Sequence, residues 1–238
     1  MNKFGIFMTL LLAIPRLSFA QIDDLPAVQV RLENNKIAVI YNGQNYFYPA
    51  PESTGEGIDQ IDTEHDVNGD GNNEYVLGMQ LYVGNAHIPV GEVLICEKKR
   101  NQIKILDRID ARDHFEKFEY QRARGEGLWL LVWTVSGMHC DGLKIVTYKA
   151  GKLVMVADRS SPAGVDFKVS DKGVPQIWVG GLDWEDPNAN YATGKRLWEV
   201  GAWDGDNFVY DPKLSTLPPE KNDGMPFVFK KNSNTNKR

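Results

Sequence analysis

Cysteine is scarce in this chain, two residues in 238, and histidine is little commoner, with four. Cys96 and Cys140 stand alone, with no third ligand in sequence, so they do not make a zinc site. His65, His87 and His114 lack the H-x-x-x-H and H-E-x-x-H spacings of metalloenzymes. Basic residues do not dominate: 27 Lys and Arg stand against 32 Asp and Glu, a net charge of -5. That balance argues against a nucleic-acid partner. No G-x-S-x-G, P-loop or dinucleotide fingerprint occurs, and no segment sustains a helical period. Residues 108–120 have room for one helical turn at most. With no catalytic constellation in view, the chain is not expected to be an enzyme.

Long apolar runs are also missing, except at the start. Lys3 precedes an apolar stretch over residues 4–14, and Ser18-Phe19-Ala20 places small residues at -3 and -1 of a cleavage site. About eleven apolar residues are too few for a span, which needs ~20. Residues 1–20 therefore read as a signal peptide, and the chain as periplasmic or secreted, with no membrane span after cleavage. Removing Lys3 and Arg16 takes the formal charge from -5 to -7. In an exported protein an even cysteine count suggests a Cys96–Cys140 disulfide; two buried free thiols are the alternative. The run Met138-His139-Cys140-Asp141 also invites a Cys/His nucleophile reading, but the disulfide is preferred.

What is plentiful is strand and turn signal. Val28 to Leu32 alternates apolar and polar residues, and Asn42-Gly43 is a hairpin dipeptide. Three segments beginning at Gly71, Gly125 and Gly173 run from glycine into an apolar strand, and each is followed by a hairpin. A repeat of about 50 residues with about four strands has the length and content of a propeller blade. The expected fold is all-β: a small β-propeller-like array of antiparallel blades. An irregular antiparallel β-sandwich is the alternative. Residues 21–229 form one domain in this reading, with repeats near 58–110, 111–160 and 161–212. Residues 230–238, polar and basic, read as a disordered tail.

One motif carries chemistry. Asp66-Val67-Asn68-Gly69-Asp70-Gly71-Asn72-Asn73-Glu74 has the pattern D-x-N-x-D-G-x-x-E. Calcium takes six to eight oxygen ligands at ~2.3–2.6 Å. Positions 1, 3 and 5 of a tight loop can converge, position 7 offers a carbonyl, and position 9 is Glu74. Gly71 permits the sharp turn. An Asn/Asp/Gly turn without metal is the alternative. The residues that follow read as a strand, and Leu77 occupies the position where an EF-hand needs glutamate, so this is not an EF-hand.

The loop resembles the calcium hairpins of FG-GAP (VCBS-type) repeats in integrin-like propellers. The likeness covers the nine-residue motif and its following strand, and the blade-length repeat extends it over about two-thirds of the chain. It implies Ca²⁺ at Asp66, Asn68, Asp70, Asn72 and Glu74. The chain lacks a clear Phe-Gly…Gly-Ala-Pro signature. Arg122, Arg124, Lys168 and Lys172 stand near the acidic positions of the other repeats, so one metal is expected.

Two functional expectations follow. The first is a monomeric, calcium-held binding module, similar to small envelope propellers that act as lysozyme-type inhibitors or immunity proteins. Its negative charge would steer it towards a basic cell-wall hydrolase. Asp183, Trp184 and Glu185 form an acidic, aromatic loop suited to anchoring a protein partner, or simply a solvated connection. The second is a secreted glycan hydrolase using those loop carboxylates.

Overall fold

A computed structural model describes residues 28–33, 36–41, 43–50, 56–83, 88–100, 102–123, 127–137, 140–183, 195–217 and 227. The expected signal peptide and tail lie outside these residues. Among the described residues there are fifteen strands and no helix. The first sheet holds β1 (Val28–Glu33), β2 (Lys36–Tyr41) and β3 (Gln44–Phe47). The second holds β4 (Gly57–Asp62), β5 (Tyr75–Val83), β6 (Ile88–Lys99) and β7 (Gln102–Asp110). The third holds β8 (His114–Ala123), β9 (Gly127–Ser136), β10 (Cys140–Lys149) and β11 (Lys152–Ser161). The fourth holds β12 (Val165–Val169), β13 (Pro175–Leu182), β14 (Arg196–Trp203) and β15 (Phe208–Tyr210).

The fold is thus all-β, with four antiparallel sheets of three or four strands, each strand pairing with its neighbour in sequence. Hairpin chemistry explains the order. Between β10 and β11, Ala150 and Gly151 both take positive φ, 52° and 72°, the geometry of a two-residue turn that matches strand twist.

Successive sheets share hydrophobic layers. Leu77 and Met79 of β5, with Leu94 and Cys96 of β6, meet Val30, Val39 and Tyr46 of the first sheet. The alternate residues Val76, Val93 and Ile95 face the third sheet, against Phe115, Phe118, Leu130, Val132 and Val146. Trp129, Leu131, Leu143 and Ile145 turn the other way, onto Ile177, Val179, Trp203 and Phe208 of the fourth. The run Trp129-Leu130-Leu131-Val132 is buried throughout because its strand is covered on both faces. Phe227, 2% exposed, completes the last layer. It lies on Gly201, where a Cβ would stand 2.4 Å from its ring.

One expectation, the disulfide, is corrected. Residues 108–120, with room for one helical turn at most, contain none: they complete β7 and supply most of β8. A bulge between Phe115 and Lys117 shifts the register, so Phe115 and Phe118 face the same layer although their spacing breaks a period of two. The Cys96–Cys140 disulfide is not formed; both thiols are free. Cys96 points into the layer between the first and second sheets, whereas Cys140 opens β10 of the third, beside Ser136. Strand parity therefore turns Cys96 away from the sheet that carries its expected partner. Burial pushes its thiol up to about 12.

Candidate metal centre

The loop from β4 to β5 is built by its own side chains. Asp66 accepts the Gly69 N–H (2.7 Å) and the Asp70 N–H (3.1 Å) at Oδ1, and the Gly71 N–H (2.9 Å) at Oδ2. Asn68 Oδ1 accepts the Asp70 N–H at 2.8 Å, and Asp70 Oδ1 accepts the Asn72 N–H at 2.8 Å. These are nested Asx turns, and they require the left-handed backbone that Gly69 (φ 80°) and Gly71 (φ 90°) provide. The Glu74 N–H donates to the His65 carbonyl (3.0 Å), which closes the loop before β5.

The winding brings carboxylate oxygens of Asp66, Asp70 and Glu74 within 4.8 Å of one another. Ligands on one calcium ion at ~2.3–2.6 Å stand no more than about 5 Å apart, so the spacing fits such an ion. Glu74 is 1% exposed, and its Oε2 accepts the Val67 and Asn68 N–H groups at 2.7 and 3.1 Å. Burial pushes its carboxyl up from the usual range, against those hydrogen bonds and with the charges of Asp70 and Asp66. Asp70, fully exposed, is held low by the Asn72 N–H and side-chain amide. Asn68 Nδ2 donates to Glu74 Oε1 (2.9 Å) and Asp70 Oδ2 (3.3 Å), placing a partial positive charge between two carboxylates. The donor set suits a hard divalent cation: all oxygen, three of its groups carboxylates.

Of the five residues named for calcium, Asp66, Asp70 and Glu74 converge. Asn68 bonds to two of them, and Asn72 meets the cluster through amide groups that donate to Asp70. Asp183 directly follows β13, while Trp184 and Glu185 lie outside the described residues.

Sequence reading missed what surrounds the loop. Asp62 Oδ2 accepts from the Tyr120 hydroxyl (2.9 Å) and pairs with His65 Nδ1 (3.0 Å). The His65 ring stacks on Tyr120 with centroids 4.0 Å apart. Burial first, then the Asp62 charge, pushes the Tyr120 hydroxyl far above its ordinary value. The acidic loop is thereby tied to the third sheet. Beside this tie a cleft of about 370 Å³ opens, with Glu64, His65 and Val67 on the loop side and Arg122, Leu128 and Tyr148 on the third sheet. No local sequence signal marked that wall, because Glu64 and Arg122 come from separate segments that line one cleft only in the folded chain. No protein-family model, curated protein or solved structure matches this chain.

Proposed function

We propose that this chain is an exported calcium-binding module of propeller-like architecture that recognises another protein, with a basic cell-wall hydrolase as the partner class. The observation that carries the reading is the convergence of Asp66, Asp70 and Glu74 within 4.8 Å around a carboxylate that is 1% exposed. Calcium there would offset two of the three carboxylate charges and brace the β4–β5 connection. The motif's carboxylates accept backbone N–H groups of the loop itself, so the role assigned to the ion is structural. Three successive four-stranded meanders with the same strand order support a blade-like arrangement and the resemblance to FG-GAP repeats. The negative charge of the chain supports a basic partner through electrostatic steering.

Titration calorimetry with calcium, followed by capture of envelope proteins on the calcium-loaded chain, tests the proposal. Saturable calcium binding that Asp70→Ala removes, together with salt-sensitive capture of a basic hydrolase, is expected. A chain that takes up no calcium refutes the metal role. Hydrolysis of cell-wall glycans by the purified chain refutes the binding-module role.

A further inference from the structure

The cleft beside the acidic loop carries charges of both signs that no other described residue pairs. Glu64 on the loop and Arg122 at the end of β8 are exposed and line it. Among the described residues neither side chain makes an ion pair or a hydrogen bond, with each other or elsewhere. The other polar groups at this wall are committed: the Tyr148 hydroxyl donates to Asp107, and His65 Nδ1 pairs with Asp62. The same cleft is lined by Leu128, half-buried, and Val67, buried. The volume, about 370 Å³, lies at the small end of the range for ligand pockets.

We propose that this cleft binds a small zwitterion, a free α-amino acid or a dipeptide, with its carboxylate on Arg122, its ammonium on Glu64 and its side chain against Leu128. The alternatives fail on charge. A simple anion would meet Glu64 and Asp66, and a simple cation would meet Arg122. A neutral sugar would cover both charges without pairing either, at a desolvation cost. A zwitterion pairs both through charge-assisted hydrogen bonds, Arg122 offering the two-pronged geometry that carboxylates match. The cleft borders the acidic loop and shares Asp66 and Asn68 with it, but neither charge that holds the zwitterion belongs to the five residues named for calcium.

The test is titration calorimetry on the full chain at fixed calcium, with L-leucine, L-alanine and L-alanyl-L-alanine as probes. At least one zwitterion is expected to saturate, L-leucine most tightly. N-acetyl-L-leucine, which lacks the ammonium, and L-leucinamide, which lacks the carboxylate, should each bind at least about tenfold more weakly. Arg122→Gln and Glu64→Gln should each weaken L-leucine binding by a similar factor. Arg122→Gln should leave L-leucinamide unaffected, and Glu64→Gln should leave N-acetyl-L-leucine unaffected. Absence of saturation by all three probes up to roughly 10 mM overturns the proposal. So does equal binding of L-leucine and its two blocked forms by the wild-type chain, a result that needs no variant.

Discussion

Glu74 is the residue on which the loop turns. Its carboxylate is buried, holds two backbone N–H groups and has two acidic neighbours. Because burial raises its folded-state pKa, the calcium-free folded chain keeps this proton to higher pH than the unfolded chain does. The stability this proton confers is full below the ordinary glutamate range. It is lost as pH rises through the raised value. Glu92 adds the same sign: burial raises it most, Asp110 adds to the rise, and Arg108 opposes it. In chelator, Glu74→Gln should therefore gain on wild type in Tm as pH climbs through and above the glutamate range. Calcium favours the ionised carboxylate and should reverse the difference. Thermal melts of both chains across pH, with calcium and with chelator, check this. Superimposable profiles would show that Glu74 does not titrate differently in the folded chain.

At the scale of elements, β8 is the strand that joins the second sheet to the third, and glutamine side chains hold it. Gln80, 6% exposed, accepts the Phe115 N–H at 2.9 Å and donates to the Asp113 carbonyl at 3.0 Å. Gln60 does the same with both backbone groups of Phe118, at 2.8 and 2.9 Å. These amides satisfy backbone groups at β8 and the turn before it from across the sheet boundary. Gln80→Leu leaves a buried N–H and a half-buried C=O without this partner, and urea unfolding should register a loss of about 1–3 kcal/mol. Gly78 makes the same approach possible from the packing side, since a Cβ there would lie 2.1 Å from the Phe115 ring. Gly78→Ala should cost about 1–3 kcal/mol, and adding Phe115→Leu should recover part of it. Equal losses in the single and double variants would locate the strain elsewhere.

These contacts also explain what was legible in the sequence. Hairpins such as β10–β11 could be read because alternation and turn chemistry are local. β8 could not, because its bulge hides the alternation and its partners Gln60 and Gln80 are remote in sequence. The convergence of Asp66, Asp70 and Glu74 was legible because nine consecutive residues contain it. The cleft was not, because Glu64 and Arg122 meet only through sheet packing. The cysteine pairing failed because a count of cysteines says nothing about which face of a strand each one takes.

The whole molecule is a succession of sheets in which the second and third are covered by a hydrophobic layer on each face. That arrangement sets an order of local stability, because amides exchange slowly where opening must break packing on both sides. Hydrogen exchange should be slowest in β5, β6, β9 and β10, which are interior strands of doubly covered sheets. It should be fastest in β3 and β15, which are short and lie at sheet edges. The acidic loop feeds directly into β5, so a cation bound to it acts on one of the most protected strands. Binding to the folded state alone stabilises by RT ln(1 + [Ca]/Kd), about 2.7 kcal/mol at a hundredfold excess over Kd. Calcium should therefore slow exchange in the loop and across β4 to β6, and raise Tm. Asp70→Ala should remove that increment while leaving the chelator pattern of the strands in place, because Asp70 is exposed, belongs to no hydrophobic layer and bonds only within the loop. If chelator changes neither the exchange pattern nor the melting curve of the wild type, the hydrogen bonds of Asp66 and Asn68 suffice to hold the loop, and it is a turn without an ion.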